Sequence, residues 1–155
     1  MPSNAELAVI LSGFLPGYEP RYAYIVLSRL LGSTQALIIS IGEAVLLAVL
    51  LGLVAEEAWE LLLRLSTRIK ALRILVRRVV SAQEKARNLV ERYGVIGLSL
   101  FVAVPLPVTG IYTGSVVAVL LGLNKRAAIL SLVLGGVLSV LIVAVLSELG
   151  GRIIG

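Results

Sequence analysis

Between Gly94 and Gly122 the chain reads GVIGLSLFVAVPLPVTGIYTGSVVAVLLG, an almost wholly apolar run broken in its middle by Pro105, Pro107 and Gly110. No unbroken helix tolerates two prolines and a glycine so close together, because each proline removes an N–H donor and clashes with the carbonyl one turn back. Each half is about ten to thirteen residues long, well short of the roughly 20 that cross a bilayer. The pattern predicts a re-entrant pair: a half-helix enters, the chain breaks at depth, and a second half-helix returns. Non-helical backbone at that depth persists only where protein buries it or water reaches it. Such breaks therefore mark binding sites or pathways.

The rest of the chain fits a membrane setting. Of its 155 residues 59% are hydrophobic, and the mean hydropathy is +1.04. That leaves too little polar material to clothe a soluble domain, so a single integral membrane domain over 1–155 is expected. The sequence holds no Cys, His or Asp. Disulfides, Cys- or His-ligated metals and Ser–His or Cys–His catalysis are excluded. Neither an enzyme nor a cofactor is expected, and proton chemistry falls to Glu, Tyr, Lys or Arg. The net charge of +5 fits basic residues beside membrane segments rather than nucleic-acid binding. The N-terminus lacks the basic region of a signal peptide and is expected to be retained.

In chain order, residues 4–15 form a short apolar helix with Asn4 as its cap, ended by Gly13, Pro16 and Gly17. Pro20 opens a second helix that runs to Gly32, with Glu19 at the cap position. Residues 33–55 are long and apolar enough to cross, with Glu43 the one interior charge. From Glu56 to Tyr93 the chain turns polar, with nine Lys or Arg and five Glu. Leu61, Leu65, Ile69, Leu72, Val76, Val79, Ala82, Ala86, Val90 and Tyr93 recur at helical spacing, which predicts an amphipathic arm with one apolar stripe. The arm reads either as a solvated cover for the membrane part or as a lipid-headgroup sensor or dimer interface. Ser81 and Glu84 have capping-box spacing, placing a break near residue 82. Residues 127–147 form the second crossing helix, with Gly135 and Gly136 as a packing notch.

The two ends repeat each other. Tyr22 and Tyr112, Leu30–Leu31–Gly32 and Leu120–Leu121–Gly122, and Ile39 and Ile129 all stand 90 positions apart. Each unit runs half-helix, break, half-helix, Gly, crossing helix, giving repeat one (4–55), the arm (56–93) and repeat two (94–150). A re-entrant pair crosses zero times and the next helix once, so the repeats are inverted. The expected fold is all-α: two inverted repeats, each a re-entrant pair plus one crossing helix, joined by a basic amphipathic arm. The arm with Lys125 and Arg126 carries eleven of the fourteen basic residues. This puts the arm in the cytoplasm and both termini outside a plasma membrane. The small size suggests a homodimer.

FVAVPLPVTGIYTGSVVAVLLGL (Phe101–Leu123), preceded by ERYG (Glu91–Gly94), resembles the small multidrug export protein family, itself similar at a distance to the DedA, or VTT-domain, superfamily. LPGYEPRYAY (Leu15–Tyr24) resembles that family's Pro–Glu–Arg element, with Glu19 and Arg21 in the charged positions. The family resemblance implies export. The DedA likeness implies transport or scrambling of lipids such as polyprenyl phosphates, in some forms proton-coupled.

The candidate pathway residues are Glu19, Arg21, Glu43, Pro105, Pro107, Thr109, Gly110 and Tyr112. Arg21 suits a phosphate or carboxylate headgroup and Glu19 a gate or proton carrier. Alternatively the two pair with each other and satisfy broken backbone. Glu43 is either a coupling group or half of a structural pair with Arg29 or Arg21. Thr109 and Gly110 open a half-helix whose positive end is a ready anion site, and Gly110–Gly114 is a close-packing pair. Tyr22 and Tyr112 line a shared cavity or anchor at interfaces. Three functions compete: a transporter or flippase for an anionic lipid or small amphiphile, a proton-coupled multidrug exporter using Glu43, and a non-transporting envelope protein. Membrane lipids are partners in all three.

Overall fold

The computed structural model describes residues 3–15, 19–105 and 109–154. Within them the chain is helical, without strands: α1 (Asn4–Ser12), α2 (Pro20–Leu31), α3 (Ser33–Ser66), α4 (Lys70–Tyr93), α5 (Val95–Ala103), α6 (Ile111–Leu120) and α7 (Lys125–Ile154). Pro16, Gly17 and Pro107 lie outside the described residues.

Two helices, α3 and α7, are long and apolar enough to cross a membrane. They run antiparallel. Ser33 at the start of α3 hydrogen-bonds Glu148 late in α7 at 2.5 Å, while Lys125 at the start of α7 stands 3.9 Å from Glu57. Their contact is made of small side chains. Ala36, Ser40, Ala44, Ala48 and Gly52 recur every four residues along α3 and are buried. A Cβ on Gly52 would collide with Ile129, and one on Gly136 would press Ile111 and Ala44. Many of the large aliphatics point outward: Ile38, Leu46 and Leu50 of α3 and Leu130, Leu134 and Val145 of α7 are exposed, while Leu47, Leu132 and Val140 pack inside. Small residues inside and large apolar ones outside is the arrangement of helices packed in lipid, where burial of leucine gains nothing and close backbone approach does.

The short helices fill the space beside this pair. α5 packs on α7 and α2 on both α3 and α7. Gly114 of α6 meets Val102 and Leu132, so close packing holds for this member of the Gly110–Gly114 pair. Gly32 and Gly122, the two glycines that follow α2 and α6, both take positive φ, at 87° and 70°.

Several boundaries differ from expectation. Ser3, not Asn4, caps α1, in a reciprocal capping box with Glu6. α3 does not stop at residue 55 but continues to Ser66, and α7 runs beyond 127–147 at both ends. The arm is unbroken at Ser81; its break is at Thr67–Ile69, where Ser66 and Thr67 turn their hydroxyls back onto the carbonyls of Leu63 and Arg64. The break resets the helical phase, so the apolar stripe is not continuous. Val79, Ala82, Ala86 and Val90 are buried, while Leu61, Leu65, Ile69 and Tyr93 are exposed.

Candidate functional site: two chain breaks joined by a buried ion pair

Pro20 fixes the backbone for the first turn of α2 and gives up an N–H that would have no helical partner there. Glu19 precedes it as N-cap, yet its side chain accepts no backbone N–H from the first turn of its own helix. The carboxylate turns away and accepts the backbone N–H groups of Ile111 and Tyr112, at the start of α6. Gly110 makes this possible on two counts. Its φ of 127° lies where side chains are strained, and a Cβ there would collide with the Glu19 carboxylate.

Arg21, one residue into α2, does the complementary thing. Its Nη1 donates to the carbonyl of Val104 and to Ser139 Oγ, both at 3.2 Å. Its Nη2 donates to the carbonyl of Thr109 at 2.8 Å and stands 3.2 Å from Glu19 Oε2. Val104 is the C-cap of α5, and the Thr109 hydroxyl also donates to its carbonyl. A helix leaves carbonyls unpaired at its C-terminus and N–H groups unpaired at its N-terminus. Here a cation serves the end of α5 and an anion serves the start of α6, each the charge that the helix dipole favours. Both side chains are buried, Glu19 to 6% and Arg21 to 3% exposure, so neither charge is left to water. The guanidinium also lies 4.9 Å from the ring centre of Tyr22.

The structure thus brings Glu19, Arg21, Thr109 and Gly110 together with Pro105, the residue after Val104. The cavity between them is lined by Glu19, Arg21, Ile111 and Ser139 among others, and measures about 10 Å³. That is room for about one water molecule. In the sequence Arg21 and the start of α6 each suit an anion. In the structure the Glu19 carboxylate occupies that helix end. Ser139 joins the cluster from α7 and was missed; a serine four residues after Gly135 carried no signal that it would face an arginine.

Tyr112 lies one residue into α6, but its hydroxyl donates to the carbonyl of Phe14, just beyond α1. The small cavity is lined by neither Tyr112 nor Tyr22. Glu43 stands apart from the ion pair. It is 5% exposed, and among the described residues neither carboxylate oxygen has a hydrogen-bond partner. Ser40 Oγ, one turn earlier, is likewise buried and unpartnered there. Among the described residues no pair of Glu43 with Arg29 or Arg21 is formed: Arg29 is exposed, and Arg21 pairs with Glu19. Glu43 is covered by Gly13, where a Cβ would come within 2.5 Å of Oε2. No group of three or more potential metal-ligating side chains occurs among the described residues.

Comparison with known proteins adds one finding. Residues 19–142 match the family model described as "Putative small multi-drug export protein". The match begins at Glu19 and takes in the Glu19–Arg21 pair, Glu43 and the break before α6. No curated protein and no solved structure matches the chain.

Proposed function

Because the chain belongs to the small multi-drug export protein family, we propose that it is a membrane transporter whose substrate passes between the two chain breaks. The observation that carries this reading is the Glu19–Arg21 pair, which holds together helix ends from opposite halves of the chain. A purely structural solution would not need two buried charges at one point, since an apolar replacement of a buried ion pair is often as stable. A charged lock can open when its partners are exchanged for a substrate's. The cavity of about 10 Å³ beside the pair is consistent with a closed form.

In this reading the halves are inverted repeats, each with a re-entrant pair, as in other transporters built on broken helices. The antiparallel α3 and α7 and the matching glycines Gly32 and Gly122 support it. The substrate class is an anionic lipid or small amphiphile: its headgroup exchanges with Glu19 for Arg21 and the α6 N-terminus, both of which already hold an anion. The arm is cytoplasmic and the termini external in the plasma membrane. Glu43 couples transport to protons, because a carboxyl buried inside a membrane helix without a partner is rarely kept for structure.

That same carboxyl, without a partner among the described residues, favours a second reading, a proton-coupled exporter of lipophilic cations. Reconstituted flux separates the two. Flip of a labelled polyprenyl phosphate or phosphatidylglycerol is the expected result. Proton-driven uptake of a lipophilic cation alone would establish the second reading, and no flux of either from folded protein would leave a non-transporting envelope protein.

A further inference from the structure

We propose that the groove between α3, α4 and α6 is a binding site for an anionic phospholipid, with an acyl chain in the groove and the headgroup on the cationic elbow that joins α3 to α4. The site lies beside the passage between the breaks, and its test does not depend on transport.

The groove has a volume of about 380 Å³, within the range of roughly 300–1,000 Å³ in which small-molecule sites fall. Its walls are mostly aliphatic, with Leu51, Ala55 and Leu62 of α3, Leu75 and Val79 of α4 and Val116 of α6, and α6 adds the hydroxyls of Thr113 and Ser115. Tyr112 also lines it. Leu62 and Leu75, the lining residues nearest the elbow in sequence, stand five and six positions from the Thr67–Ile69 break. Residues 61–83 carry six cations, Arg64, Arg68, Lys70, Arg73, Arg77 and Arg78, and no carboxylate; Arg64 pairs with Glu60 just outside them, at 3.7 Å. All six are exposed. Exposed aliphatics alternate with them, Leu61, Leu63, Leu65, Ile69, Ile74 and Leu75.

Each feature removes a competing occupant. A nucleic acid would need bases to stack, and residues 61–83 contain no aromatic side chain. An acidic peptide would answer the cations and leave the leucines in water. A second copy placed two-fold on this face would set six cations against six. An anionic phospholipid meets both halves of the pattern: chains for the groove and leucines, a phosphate for the arginines.

The chain carries its own probe. Trp59 is the single tryptophan, one helical turn from both Ala55 and Leu62. The full chain is reconstituted in phosphatidylcholine vesicles holding a low, equal fraction of either phosphatidylglycerol or phosphatidylcholine brominated on its acyl chains. Brominated phosphatidylglycerol should quench Trp59 several-fold more than brominated phosphatidylcholine. The excess should vanish in high salt and in the exposed-surface variant Arg68→Gln/Arg73→Gln/Arg77→Gln. Ala58→Leu, which fills the groove without touching a charge, should reduce it as well. Equal quenching by the two lipids, or an excess that survives the arginine variant, would overturn the site. So would an elbow-linked dimer in solution with no lipid preference, which would give the face to a second copy.

Discussion

Arg21 Nη2 lies 2.8 Å from the carbonyl oxygen of Thr109, 88 positions further along the chain. This bond joins the start of α2 to the break before α6. With the reciprocal reach of Glu19 to the N–H groups of Ile111 and Tyr112, it accounts for how two interruptions survive inside a membrane protein.

Removing either charge strands the other. Arg21→Gln and Glu19→Gln should each cost about 3–5 kcal/mol, the range for breaking a buried pair. The double variant should lose less than the sum by about 0.5–3 kcal/mol. Unfolding of the detergent-solubilised protein measures all three. Strict additivity would mean that the two side chains do not act as a unit.

Two glycines should respond with opposite sign. Gly110→Ala forces a side chain into a positive-φ position and into the Glu19 carboxylate, and should destabilise by more than about 1 kcal/mol. Gly42 lies inside α3 with nothing within 4 Å of an added Cβ, so Gly42→Ala should stabilise by about 0.5–1 kcal/mol. The same unfolding assay checks both.

Much of this fold was readable from the sequence, and what was missed has a physical reason. Pro20, Pro105 and Gly110 act on their own backbone, so the helix ends they impose can be placed from local residues alone. The Ser81–Glu84 spacing is also local, but without Gly or Pro a capping box cannot outbid continued helix. The real break at Thr67–Ile69 was signalled by adjacent Ser66 and Thr67, whose hydroxyls compete with the backbone for carbonyls. The small-residue ladder Ala36–Ser40–Ala44–Ala48–Gly52 leaves no mark in hydrophobic periodicity, because on a helix apolar all round only side-chain size distinguishes the packed face. Which helix end each charge of the Glu19–Arg21 pair serves was not readable, since no local rule says that a cap will reach across the chain to another helix.

Glu43 should behave unlike the ion pair. Having no partner among the described residues, it can become Gln without stranding a charge. Glu43→Gln should fold normally and lose transport driven by a pH gradient while keeping gradient-independent exchange. A well-folded variant with unchanged flux and unchanged pH dependence would remove Glu43 from the coupling role.

Topology follows from the basic residues. Single cysteines at Ser3, Arg77 and Arg152 should divide: in intact cells an impermeant thiol reagent should label the first and third but not the second. Labelling of Arg77→Cys alone would invert the orientation.

Ser139 offers the most direct view of the proposed passage between the breaks. It is 3% exposed and bonded to Arg21, so a cysteine there reports whether the lock has opened. Proteoliposomes holding Ser139→Cys are exposed to a water-soluble thiol reagent, first at rest and then during flip of labelled phosphatidylglycerol. The cysteine should be protected at rest and react while flux proceeds, with reaction blocking further flux. Flux that continues with Ser139→Cys unlabelled and unaffected would place the pathway elsewhere.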